Sequence, residues 1–345
     1  LMGLCGRKKI ANPIPLHRVA VVRPFVEFLA DIGAPVERGF QRAGLPYSAL
    51  KNLDNYIPSH RFWEFLVEMA CSEGILDLGF RVGERFGANS PDPRTTDLLL
   101  QSPTLYTGLL KASELTNRTI SNCHLGILQP RGCRYTHFYH RPSCDADNAA
   151  IEQIGWFGVM ALLGMVRVYT GPQWHPVEIG VMTHRTPGRY IRAHFPHTRI
   201  RLSQAYSYIT LEKKLLSLPP RQNEAALPMV SAHHYDAVPI DFTDSLEQVL
   251  MSYAQESDLN IGLAAGLCDR SNRTLQRRLS EAGTHYNEVL GHARFRVASR
   301  LLQDSALKVT DIAKRLGYSD AAHFSRAFRR IAGINPRAYR RQFTH

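Results

Sequence analysis

The chain has 345 residues, with 42 lysines and arginines against 30 aspartates and glutamates, for a net charge of +12. That length allows two domains with their own cores, and the positive excess is concentrated: residues 259–345 hold 16 basic and 6 acidic side chains, net +10, whereas residues 1–258 carry only +2. No GxSxG, HExxH, Walker A or GxGxxG fingerprint occurs, so the common catalytic arrangements have no place in the sequence.

Residues 1–17 read as a tail, with Arg7-Lys8-Lys9 solvated and no apolar stretch after them long enough for a signal peptide. Pro24 suits a helix start, and Phe25, Phe28, Leu29 and Ile32 then form an inward stripe ending at Gly33. Pro58-Ser59 announces a second helix with Phe62, Phe65, Leu66 and Met69 on one side and Gly74 after it. A third begins at Ser102-Pro103 and runs to about Thr116.

From Ser121 the period changes to two. Cys123, Leu125 and Ile127 alternate with His124, Gly126 and Leu128, and the stretch from Cys133 to His140 follows Pro130-Arg131-Gly132, which predicts a hairpin. His137 and His140 fall on opposite faces of such a strand, which argues against a shared metal. Asp147 to Tyr169 has the length and apolar density of a buried helix. Its longest near-apolar run, Ile154 to Val166, is short for a bilayer span. Val177, Ile179 and Val181 suggest a further strand, and residues 200–209 one or two more. Tyr135, Tyr139, Trp156 and Trp174 suit a core or the lining of an effector pocket, without identifying a ligand residue.

The expected organisation is an α+β domain over 18–218, a linker over 219–241 and an all-α domain over 242–345 with two helix-turn-helix units. His233-His234 in the linker reads as solvated rather than metal-bound. Cys5, Cys71, Cys123, Cys133, Cys144 and Cys268 show no metal-ligand spacing. They fit reduced thiols in a cytoplasmic protein, although an even count permits bridges and Cys123, Cys133 or Cys144 would suit a redox switch. No metal, cofactor or membrane association is expected.

The carboxy-terminal region contains one helical unit twice. Leu263 to Leu267, a break at Cys268-Asp269-Arg270 and a helix from Ser271 to Gly283 are matched by Val309 to Gly317 and a helix from Ser319 to Gly333. Ser271 and Ser319 are placed to cap the second helix of each copy, and Gly283 and Gly333 to end it in the left-handed conformation. Leu275 and Leu279 face inward in the first copy; Phe324, Ala327, Phe328 and Ile331 do so in the second. Arg273, Gln276 and Arg277, then His323, Arg326, Arg329 and Arg330, face outward. A helix over 285–303 joins the copies. It predicts a rigid spacer that sets the two outer faces about one DNA turn, on the order of 34 Å, apart.

Residues 259–341 resemble the DNA-binding domain of the AraC/XylS family of bacterial transcription regulators. The residues that carry this are Arg273 to Leu279, Ile312 to Tyr318, Phe324 to Arg330, Gly333-Ile334-Asn335-Pro336 and Tyr339-Arg340. The resemblance implies base contacts from Arg273, Gln276 and Arg277 and from Ala322, His323 and Arg326. Ala321 and Ala322 leave the second helix without long polar side chains at its start, so its base reading is expected to be weaker. Residues 18 to about 215 are similar to the amino-terminal domain called arabinose-binding in that family, through Arg23-Pro24-Phe25, Arg42 to Pro46, Ile57-Pro58 and Leu76 to Gly79. This implies that the α+β domain over 18–218 is an effector domain with a regulatory role, without naming a ligand.

The resulting expectation is a non-enzymatic, sequence-specific regulator, an activator by preference. Its partners would be double-stranded DNA, RNA polymerase, a small-molecule effector and a second copy. The alternative is an enzyme or alkyl-acceptor repair protein fused to a DNA-binding module, although no Pro-Cys-His-Arg segment is present.

Overall fold

The computed structural model describes residues 13–86, 93–119, 123–142, 148–221, 241–256, 259–304 and 307–343. Arg7-Lys8-Lys9, Cys5, Cys144, His233-His234 and most of the expected linker lie outside the described residues. The first elements are β1 (Leu16–Arg18), α1 (Val19–Asp31), α2 (Val36–Arg42), β2 (Tyr56–Pro58), α3 (Ser59–Ser72), α4 (Leu78–Phe86), α5 (Pro93–Leu100) and α6 (Leu105–Thr119). There follow β3 (Cys123–Leu128), β4 (Thr136–Pro142), α7 (Asn148–Thr170), β5 (Glu178–Gly180), α8 (Arg189–His194), β6 (Arg199–Arg201) and β7 (Ser207–Leu211). The rest is helical: α9 (Phe242–Tyr253), α10 (Ile261–Leu267), α11 (Asn272–Glu281), α12 (Tyr286–Asp304), α13 (Val309–Arg315), α14 (Ala321–Ala332) and α15 (Pro336–Phe343).

These elements form two compact units, one of residues 20–43 and 59–221, the other of 13–19, 44–58 and 241–343. The first unit combines helices with a mostly antiparallel sheet, the α+β class expected. Its five strands run in the order β3-β4-β7-β5-β6, antiparallel except for β5 beside β6. The period-two residues Leu125, Phe138, Ile179 and Ile209 point to one face and are buried with Trp156, Val159, Leu163 and Val166 of α7. Helix α4 lies close against α7 because position 79 has no side chain: a Cβ there would fall 2.0 Å from the Gln153 carbonyl oxygen. The Gln153 side chain secures the crossing, accepting from the Gly79 amide at 2.8 Å and donating to the Leu76 carbonyl at 2.9 Å.

The hairpin, the α3 stripe and the long buried helix stand as the periodicity predicts, and His137 and His140 do point to opposite faces. Several expectations are corrected. Pro24 lies inside α1, because buried Val19 and Val22 carry the apolar stripe a turn and a half further back. Ile32, expected in the core, is 48% exposed. The Ser102 hydroxyl donates to the Leu98 carbonyl and so closes α5, while Thr104 caps the start of α6 through the Thr107 amide. Val177 is exposed and precedes its strand. α2, α4, α5 and α8 had no expected counterpart. α7 is long and apolar enough to cross a membrane, unlike the shorter run read from the sequence, but 67% of its most apolar window is buried in the unit's own core.

The second unit is built on α9, which is buried along its whole length. The two-stranded ribbon of β1 and β2, pairing Leu16 with Pro58 and Arg18 with Tyr56, supplies Ile14, Leu16 and Tyr56 to the same core as the carboxy-terminal helices. Polar contacts fix the ribbon: the Ile14 amide donates to Ser245 Oγ at 2.9 Å, and Ser252 Oγ donates to the Tyr56 carbonyl at 2.6 Å. The buried Arg18 guanidinium pairs with Asp54. Helix α9 also meets the carboxy-terminal helices: the Arg278 guanidinium lies 5.0 Å over the Phe242 ring, and Arg296 approaches Glu247 at 3.6 Å.

Candidate DNA interface

Both copies of the helical unit turn at a residue with positive φ. In the first, Asp269 has φ 51° and the Arg270 amide closes the turn onto the Ala265 carbonyl at 2.9 Å. In the second, Gly317 has φ 71° and the Tyr318 amide bonds the Ala313 carbonyl at 3.0 Å. Asp tolerates this region through its short polar side chain. At 317 glycine has a second reason, since a Cβ would lie 3.0 Å from the Arg294 guanidinium, which itself sits 5.3 Å over the Tyr318 ring.

Each turn launches a helix whose amide groups must be capped. Ser271 does this for α11, accepting from the Thr274 amide at 3.2 Å. In the second copy the expected cap, Ser319, is displaced by its neighbour: Asp320 accepts from the His323 amide at 2.6 Å, and Ser319 donates to Asp320 instead. A carboxylate is the stronger acceptor, so α14 starts one residue later than the repeat implies. The same bond holds the Asp320 carboxyl below the usual carboxylate range. Gly283 and Gly333 end the two helices at φ 72° and 76°.

In α11, Leu275 and Leu279 are buried while Arg273, Gln276 and Arg277 are exposed. The Arg277 guanidinium is tied to Glu281 one turn later at 2.5 Å. In α14, Phe324 and Phe328 are buried and Ala327 and Ile331 only half-buried, so the inward stripe is narrower than expected. Ala322, His323, Arg326, Arg329 and Arg330 are exposed. The His323 ring meets the edge of Tyr318 at 5.4 Å, Arg326 lies in the field of Asp320, and Arg330 lines a cleft of about 400 Å³ with His285, Glu288 and His292.

The spacer α12 has 19 residues, a rise of roughly 28 Å. Its Val289, Ala293, Val297 and Leu302 are buried in the common core, so it cannot bend without opening both copies. Its end is clasped by Arg340, whose guanidinium donates to the carbonyls of Leu302 at 3.2 Å and Leu307 at 2.5 Å. In the sequence Arg340 stands out only as part of a motif. Asn260 and Asn335, which cap α10 and α15, were also missed, although Asn before an apolar run is itself a start signal.

An alkyl-acceptor reading needs a reactive thiolate. Burial pushes both the Cys123 and Cys268 thiols up to about 12, away from that chemistry.

Two family models match the chain. Residues 265–342 match the helix-turn-helix domain model, and residues 33–220 match the arabinose-binding domain of AraC transcription regulators, N-terminal part. A helix-turn-helix-type transcriptional regulator of Mycobacterium tuberculosis is 45% identical over 78 residues, covering 23% of each chain. The ornithine utilization regulator of Pseudomonas aeruginosa is 43% identical over 70 residues, 20% of this chain and 21% of that one. The chain thus spans about a quarter of the length of the curated relatives it matches. Among solved structures, the transcriptional regulator CdpR of Pseudomonas aeruginosa aligns over 93% of this chain and 98% of its own, at 19% identity and a TM-score of 0.42. The match over more than half of the chain, together with the paired helix-turn-helix units, shows that this chain belongs to the AraC family of transcription regulators, with an arabinose-binding-type amino-terminal domain.

Proposed function

We propose that the chain reads double-stranded DNA with α11 and α14 in successive major grooves and regulates transcription from the bound site. One observation carries this reading: two capped helices, held by one buried spacer, each bury their apolar side and leave a row of long polar side chains at the surface. Arg273, Gln276 and Arg277 have the donors that pair with guanine and adenine edges. Ala322 offers only a methyl contact to thymine, with His323 and Arg326 beside it, while Arg329 and Arg330 suit phosphates. The α+β unit is the regulatory half, taking a small-molecule effector, and the protein acts in the cytoplasm as a homodimer that contacts RNA polymerase, as an activator.

The test is the affinity of the whole protein for its own upstream DNA and for random DNA between about 50 and 200 mM salt. A specific regulator prefers its site by 10³ or more, and total affinity falls on the order of 10³ to 10⁵ if 6 to 10 phosphates are neutralised. Equal affinity for both DNAs, with and without cell extract as a source of effector, defeats the reading.

A further inference from the structure

The α+β unit packs α6 and α7 on one face of its sheet, burying Leu125, Phe138 and Ile209 there. Directly opposed residues share a face, so the register gathers a different set on the other side. It comprises His124 on β3, Tyr139 and Arg141 on β4, Tyr208 on β7, Glu178 on β5 and Arg201 on β6. This face meets solvent: His124, Arg141, Arg199 and Arg201 are exposed, and Tyr139 and Tyr206 are half-buried.

Its rings form two tiers. In the lower, His137 lies flat on Tyr208, with centroids 3.9 Å apart and planes within 7°, and both side chains are buried. The Tyr208 ring lies across Gly180, where a Cβ would come within 2.0 Å of it. That pair is sheet packing. The upper tier is packed less completely: Tyr139 lies over Gly126, where a Cβ would come 3.0 Å from its hydroxyl, and that hydroxyl is 3.2 Å from His124 Nδ1, but His124 is exposed and Tyr139 and Tyr206 are only half-buried. Tyr206 sits 3.3 Å from His137 Nδ1 through its hydroxyl, its ring is 5.0 Å from that of Tyr139, and Tyr139 is stacked with His124 at 5.9 Å. Three accessible rings therefore run in contact across neighbouring strands.

Cations border them in excess. Glu178 accepts from Arg201 at 2.6 Å and from Tyr208 at 2.9 Å, with Arg199 adding to its field. No carboxylate pairs with Arg141 among the described residues. Burial lowers the His137 pKa, so that ring stacks as a neutral platform near pH 7.

Rings spread over an open sheet, rather than converging on a recess, suit consecutive unpaired bases, each of which offers a flat face whatever its sequence; bordering arginines suit the phosphates between them. A duplex hides its base faces. A second copy placed by twofold symmetry would set this cationic face against itself. We infer that this sheet face binds single-stranded nucleic acid, with bases on His124, Tyr139 and Tyr206 and phosphates against Arg141, Arg199 and Arg201.

The inference does not depend on duplex reading by α11 and α14, and the two are separable by experiment. Full-length protein is titrated into a labelled 20-nucleotide oligothymidine, an abasic strand of equal charge and a random duplex. Oligothymidine should bind well above the abasic strand. Tyr139→Ala and Tyr206→Ala should each lose roughly 5- to 100-fold for oligothymidine, the range set by one stacked base, with duplex affinity unchanged. Tyr206→Phe should keep wild-type binding, and exposed His124→Ala should lose affinity without affecting the core. Equal binding of oligothymidine and abasic strand overturns the inference, as does wild-type affinity in folded His124→Ala and Tyr139→Ala proteins. Loss of duplex binding alone would count only against the helix-turn-helix reading.

Discussion

The His323 amide donates to the Asp320 carboxylate at 2.6 Å, and this bond sets where α14 begins. Asp320→Ala should lower both the melting temperature and the DNA affinity, because α14 loses its cap and its first turn carries Ala322 and His323. Asp320→Asn should restore most of both, since an amide oxygen accepts the same bond. Ser319→Ala should be nearly silent. A silent Asp320→Ala with a damaged Ser319→Ala would return the cap to the serine. Because the Asp320 carboxyl is held below its ordinary range, its contribution is present above about pH 4 and is lost as the pH falls through the lowered folded value.

Arg277 is held by Glu281 at 2.5 Å, and on the proposed function it would exchange that partner for a base. Arg277→Ala should cost roughly 1–3 kcal/mol of specific binding and relax preference at one base pair. Glu281→Gln should raise affinity for all DNA, since it frees the guanidinium and removes a negative charge near the phosphates. Competition binding against operators changed one base at a time separates the two effects. A uniform loss across all positions in Arg277→Ala would assign the residue to the backbone instead.

The carboxy-terminal helices were legible because each carries its own stripe and stop within a dozen residues, as Leu275, Leu279 and Gly283 do. The outward placement of Arg273 and Arg326 followed from the same period. Other features depend on partners distant in sequence. α4 contains Gly79 and Gly83, which read against a helix until the approach of α7 makes a small residue necessary. β1 and β2 have three residues each, too few for a period, and their place is fixed by Ser245 and Ser252 of α9. Arg340 acts on carbonyls at 302 and 307, and no local pattern announces such acceptors. The choice between Ser319 and Asp320 turned on acceptor strength, which two adjacent capping residues leave undecided.

Two buried histidines should make the protein sensitive to mild acid. Burial lowers the His140 pKa to about 4 and that of His17 to about 3, both beneath the ordinary 6.5. The unfolded chain therefore binds these protons first. Stability should be full above about pH 6.5 and decline as the pH falls from there toward 4. Urea titrations at pH 7.5, 5.5 and 4.5 measure the slope. His140→Gln, which can still donate toward the Gly155 carbonyl, should flatten it for the α+β unit. An unchanged slope in that variant would place the acid sensitivity on other groups.

The amino-terminal ribbon should be part of the DNA-binding unit's stability. Ser252 is buried and its hydroxyl donates to the Tyr56 carbonyl at 2.6 Å, so Ser252→Ala removes a buried hydrogen bond, at a cost of about 1 kcal/mol. Removing residues 1–18 goes further. It strips Ile14 and Leu16 from the core shared with Leu246, Val249 and Leu250 and exposes the apolar side of α9. Both changes should lower the melting temperature of the helical unit and weaken duplex binding, although neither touches α11 or α14. A fragment of residues 242–345 that melts and binds DNA like the whole protein would show that the ribbon only decorates α9. If the truncated chain instead regains its stability when a peptide of residues 1–18 is added, the ribbon is a true part of that core, because the peptide restores Ile14 and Leu16 to it together with the bond to Ser245 and the pairing with Tyr56.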